Sequence, residues 1–125
     1  MNRSAVISKN KKYRYELSRV WSESPKITFI MLNPSVGNET YDDKTIKRLI
    51  FFTKKFGYGG FYVGNIFPNI NTKVNDLYLD VSHDEKKNRK HVSSMINKSE
   101  SVVYAWGKTI DKPPNWIDKI VDKPM

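Results

Sequence analysis

No cysteine occurs in this chain, which excludes disulfides and thiolate metal sites and fits a reducing compartment. Histidine is almost as scarce. His83 and His91 are the only two, spaced eight apart in a polar, basic stretch, which is a poor metal spacing and reads as surface, so no metal is expected. No apolar run approaches the length that spans a bilayer, and Met1-Asn2-Arg3-Ser4 lacks the apolar core of a signal peptide. The expectation is a cytoplasmic protein with no membrane partner. Gly57-Tyr58-Gly59-Gly60 has neither dinucleotide-fold nor Walker spacing, so it reads as a helix stop, and no cofactor is expected. Acidic residues are also few: 13 against 22 Lys and Arg, for a net charge of +9 and a pI near 9.7. Such a surplus points to a polyanionic partner, most often nucleic acid, with an ordinary solvated surface as the plainer alternative.

What is present is one domain spanning residues 1–125. Three β-rich runs, 27–32, 60–65 and 102–105, each stop abruptly at Asn-Pro, Asn or Trp-Gly. Buried parallel strands end this way at the carboxyl edge of a sheet, where open α/β folds keep their ligand sites. Residues 5–21 read as a hairpin about a basic turn. Asp42 and Asp43 read as the N-cap of a helix over 44–56, with Ile46, Leu49, Ile50 and Thr53 on one face and a cationic remainder. Helices follow at 84–97 and 115–121, with one helical turn near 76–79. The helix–glycine–strand order predicts a right-handed parallel crossover. The expected fold is therefore a three-layer α/β/α domain with a mostly parallel central sheet, preceded by an N-terminal hairpin. Such a sheet usually closes with one more strand, so the domain is either naturally short or continues past Met125.

The three strand ends, Met31-Leu32-Asn33-Pro34, Gly64-Asn65-Ile66-Phe67-Pro68 and Tyr104-Ala105-Trp106-Gly107, resemble in order and detail the motifs of the uracil-DNA glycosylase superfamily, in its asparagine-type branch. More narrowly, Met31 to Ser35, Asp43/Thr45/Arg48, Gly57 to Gly60, Asn65/Phe67 and Ala105 to Gly107 are similar to a bacterial and mobile-element domain family of unknown function, over roughly residues 5–110. One departure stands out. The glycosylases place a histidine-bearing loop after a further strand, and nothing after Trp106 contains a histidine.

The resemblance implies that Asn33 orients water against the sugar C1′ of an extruded nucleotide, since an amide positions water but is a weak base. It implies that Asn65 presents its donor and acceptor to the Watson–Crick edge of a pyrimidine. Pro34, Ser35 and Phe67 complete the implied base pocket, with Ser35 at the position where stringent uracil enzymes keep a bulky tyrosine. Gly107 and Lys108 face a phosphate in this reading. Lys47, Arg48, Lys86, Lys87, Arg89 and Lys90 are the candidate DNA-backbone contacts. Each has a plainer alternative: a turn for Asn33, a strand cap for Asn65, core for Trp106 and solvated surface for any single cation. The implied activity is N-glycosidic hydrolysis on DNA by a monomer, open to blockade by an acidic DNA-mimic protein. A non-hydrolytic relative that keeps the pocket, and an enzyme acting on a free nucleotide or nucleoside, are the alternatives.

Overall fold

A computed structural model of the protein describes residues 1–77, 85–107 and 114–121, apart from the side chains at 74 and 75. Five strands form a single sheet: β1 (Asn2–Ile7), β2 (Arg14–Val20), β3 (Lys26–Met31), β4 (Gly60–Asn65) and β5 (Ser101–Tyr104). Their order across the sheet is β1-β2-β4-β3-β5. Helix α1 (Lys44–Lys55) connects β3 to β4, and α3 (Glu85–Asn97) precedes β5. The short α2 (Val74–Leu77) and α4 (Asn115–Ile120) complete the described elements.

The sheet is mixed, which corrects the expected mostly parallel, glycosylase-like three-layer arrangement. β3 pairs in parallel with β4 and β5, but β1–β2 and β2–β4 are antiparallel. The hairpin does not precede the sheet; it is part of it. The physical reason lies in β2, where Tyr15, Leu17 and Arg19 are all buried, as befits an interior strand supplying the ladder partners of β4. Along the β1–β2 ladder Val6 faces Glu16 but Ile7 faces Arg14, so Tyr15 is an extra residue, a bulge.

Alternation along the strands sends side chains to two separate cores. Leu17, Ile27, Phe61 and Val63 pack with Ile46 of α1. Ile30 and Val102 pack with Val92, Met95 and Ile96 of α3 and Ile117 of α4 on the opposite face. Each fully buried side chain of this kind contributes about 1.5–3 kcal/mol. The bulge also sorts β2: Tyr15 stacks on His91 of α3 with ring centroids 5.3 Å apart, and Glu16 pairs with the same imidazole. Arg14, one step further, turns to the α1 side.

α1 starts where Asp43 accepts from the Ile46 amide at 2.9 Å, and it ends at Gly57, whose φ of 84° suits glycine. Asp42 is not part of that cap. Among the described residues, no helix is long and apolar enough to cross a membrane.

Candidate functional site

The loop leaving β3 is held from below by a buried arginine. Arg19 is 0% exposed and donates from Nε to Asp42 at 2.9 Å, from Nη1 to its neighbour Ser18 O at 2.8 Å, and from Nη2 to Asn38 O. Arg3 reaches the other Asp42 oxygen at 2.6 Å. Burial alone would push the Asp42 carboxyl up, but the hydrogen bonds and charges of these two guanidinium groups outweigh it and hold the carboxyl below its ordinary range.

Above this clamp lies a cavity of about 110 Å³, lined by Arg14, Met31, Asn33, Ser35, Asp43, Thr45, Ile46, Leu49 and Val63. It sits at the carboxyl ends of β3 and β4, beneath the first turns of α1. Asn65 ends β4 in register with Met31 and shares the α1 face with Phe61 and Val63. It is only 1% exposed, yet neither its amide nitrogen nor its oxygen has a hydrogen-bond partner among the described residues. A buried amide left in that state costs about 1–3 kcal/mol.

Arg14 shares this condition. Its side chain donates to Gly37 O at 2.9 Å, while its Nε is buried and unpartnered among the described residues. Burial pulls its pKa down to about 10, opposed by the Asp43 carboxylate and assisted by the charge of Arg19. Asp43 is fully engaged, capping α1 with one oxygen and accepting from the Ser35 hydroxyl with the other. The cavity therefore combines a desolvated cation with a small mouth near Ser35, and the unpaired Asn65 carboxamide lies on the same face at the end of β4, outside the residues that line it.

Asn33 lines the cavity, and its amide nitrogen donates to Asn69 O at 3.1 Å and Thr72 O at 3.0 Å, so the group is oriented by the loop that follows β4. Pro34 is buried, and its carbonyl accepts from the Asn71 amide at 2.8 Å. Ser35 is exposed and borders both this cavity and a larger groove of about 550 Å³ beside Lys9 and Lys11. Phe67 packs instead against the α3-side core, away from the cavity. Trp106 stacks on Tyr104 at 4.5 Å in that same core, and Gly107 follows it, exposed, at the end of β5. Lys108 lies outside the described residues.

The cations divide between the two faces. Lys47 and Arg48 are exposed on α1, on the cavity side. Lys86, Lys87, Arg89 and Lys90 belong to α3, across the sheet, so one groove does not hold both sets. Arg89 pairs with Glu85 at 2.7 Å and sits 5.3 Å from the Trp116 ring centroid, and Lys87 lies 5.0 Å from that of Tyr15.

Arg14 and Gly37 escaped the sequence reading, and Asp42, expected in the helix cap, instead pairs with Arg19 and Arg3. The available signal was an arginine at each end of an alternating strand, at positions that also carry the burial period. Gly37 matters because a Cβ there would stand 2.0 Å from Ile46 Cδ1, inside the α1 core. Gly37→Ala is expected to cost about 1–3 kcal/mol and to displace the carbonyl that holds Arg14. Urea unfolding checks the first effect; an unchanged midpoint would refute the close fit.

Residues 14–123 match a family described as a protein of unknown function, DUF1643. No curated protein and no solved structure matches the chain.

Proposed function

The chain belongs to the DUF1643 family, whose function is unassigned, and from the site we propose that it is a nucleic-acid-binding protein that takes one extruded base, uracil foremost, into the cavity at the ends of β3 and β4 and hydrolyses its N-glycosidic bond. The observation that carries this reading is Asn65, whose buried amide has both its donor and its acceptor free among the described residues. A uracil edge offers the complementary acceptor and donor, and cytosine inverts them. The cavity, about 110 Å³, falls well short of the roughly 300–1,000 Å³ of typical small-molecule sites, which favours a single ring over a whole free nucleotide.

In this reading, water held by the oriented Asn33 amide attacks C1′ while the C1′–N1 bond breaks. The electron pair leaves with the base. The Arg14 guanidinium and the Asn65 N–H stabilise that developing anion in a desolvated site, and the proton released by the water finally neutralises it.

A second reading is favoured by one feature: no lining residue is a free general base. Asn33 is an amide tied into a loop, and the Asp43 carboxylate is spent on the α1 cap and Ser35. A protein that captures the base without cleaving it fits that arrangement.

Oligonucleotides bearing one uracil, incubated with the protein and then treated with alkali, separate the two. Strand scission that falls about a hundredfold in Asn33→Ala is the outcome expected for the hydrolase. Uracil-dependent binding without scission establishes the second reading, and indifference to uracil in both assays removes both.

A further inference from the structure

Helix α1 carries an outward face that the base cavity does not use. Phe51 and Phe52 on α1 and Phe56 at its C-cap are 61%, 47% and 71% exposed. Three large aromatics left in water this way call for an explanation. The helix contains no acidic residue, while Lys44, Lys47, Arg48, Lys54 and Lys55 lie along it. Side chains three and four apart share a helix face, so the pattern resolves into two rows. One runs Lys44, Arg48, Phe52, Phe56. The other runs Lys47, Phe51, Lys55. The second row alternates charge with ring, and the first sets two cations ahead of two rings. Lys54 alone turns away, 5.2 Å from the Trp21 ring centroid.

We propose that this face of α1 is a stacking platform for single-stranded nucleic acid, with unpaired bases lying on Phe51, Phe52 and Phe56 and phosphates held by Lys44, Lys47, Arg48 and Lys55. The inference extends the nucleic-acid reading above but stands on a different surface. Bases in a single strand expose the π faces that these rings match, and the backbone supplies the anions that the intervening cations require. A duplex hides its base faces and offers the rings nothing. A second copy of this chain would set cationic helix against cationic helix. The N-terminal end of the platform is the same turn that walls the cavity through Thr45, Ile46 and Leu49, so a strand crossing α1 reaches the cavity mouth.

The test uses the full chain and a labelled oligodeoxyadenylate, which contains no uracil and therefore does not depend on the base cavity. Binding, followed by fluorescence anisotropy, is expected to be at least tenfold tighter for the single strand than for the matching duplex. Phe51→Ala/Phe52→Ala/Phe56→Ala should weaken it by tenfold or more, with the circular dichroism spectrum unchanged because these rings are exposed. Lys44→Gln/Lys47→Gln/Arg48→Gln should lower the slope of log affinity against log salt by about two. Equal affinity for duplex and single strand, or no loss in the phenylalanine variant, overturns the proposal. So does binding to anionic lipid vesicles in place of the oligonucleotide, the behaviour of a membrane-surface helix. Loss of uracil recognition with intact oligodeoxyadenylate binding would fault the cavity reading and leave this one standing.

Discussion

Asn65→Leu is expected to raise the melting temperature while abolishing recognition of the base. The amide is 1% exposed and has no hydrogen-bond partner for either polar atom among the described residues, so folding strips its water and returns nothing. Leucine has nearly the same volume and carries no polar atom to desolvate. Replacing an unpaired buried polar group with an apolar one of like shape should gain about 1–3 kcal/mol, or several degrees in a domain of this size. The same change deletes the donor and acceptor that the proposed base would meet. Keeping such a residue at a cost in stability is what the proposed base-binding role would require. Thermal unfolding and anisotropy with a uracil-bearing oligonucleotide read the two effects separately. A lower melting temperature with unaltered uracil binding would make Asn65 a structural residue and end the proposal.

Asp42→Asn is expected to destabilise the fold by about 3–5 kcal/mol, the usual result of removing one partner from a buried ion pair. Arg19 is 0% exposed and keeps carbonyl partners at Ser18 and Asn38, but Asp42 is the carboxylate it bonds. Without it a desolvated cation stands uncompensated. The contrast is Arg3, whose side chain is 37% exposed and whose pairing with the same carboxylate should be worth at most about 1 kcal/mol. Urea midpoints for Asp42→Asn and Arg3→Gln should therefore differ widely; equal shifts would refute the assignment of the burden to Arg19. The pH dependence follows from the depressed Asp42 pKa. The folded protein holds this carboxylate ionised more strongly than the unfolded chain does, so its contribution is fully present above the ordinary carboxylate pKa. It is lost as pH falls through the lower, folded value. The wild type should weaken in that acid range, and Asp42→Asn should show a flatter profile there.

The two effects meet in one segment. Arg19 and Asp42 fasten the loop between β3 and α1, and that loop supplies the Gly37 carbonyl that holds Arg14 at the cavity. Loosening the clamp should therefore disorder the site before the core melts.

Much of the local structure was legible. The Asp43 cap, the glycine stop after α1 and the apolar runs of β3 and β4 follow from backbone chemistry and periodicity, which operate within a few residues. The parallel pairing behind the two asparagines was also foreseen: Asn65 closes β4 opposite Met31 of β3, and Asn33 follows two residues beyond Met31. What the chain's own order did not reveal depends on pairing across distance. Antiparallel addition of β2 to β4 made the sheet mixed, because the open ladder of β4 accepts any strand with the right buried alternation, and local pattern does not say which. The bulge at Tyr15 is decisive for the site. A one-residue shift in a strand exchanges its faces, so it carries Arg14 to the α1 side while Tyr15 and Glu16 meet His91 on the other. The basic residues of α3 were separated from those of α1 by the sheet itself. Composition and short-range pattern thus determined which chemistry this protein carries. Only the tertiary pairing decided which of those groups face one another, because contact across a sheet depends on register and face, neither of which is a property of any single segment.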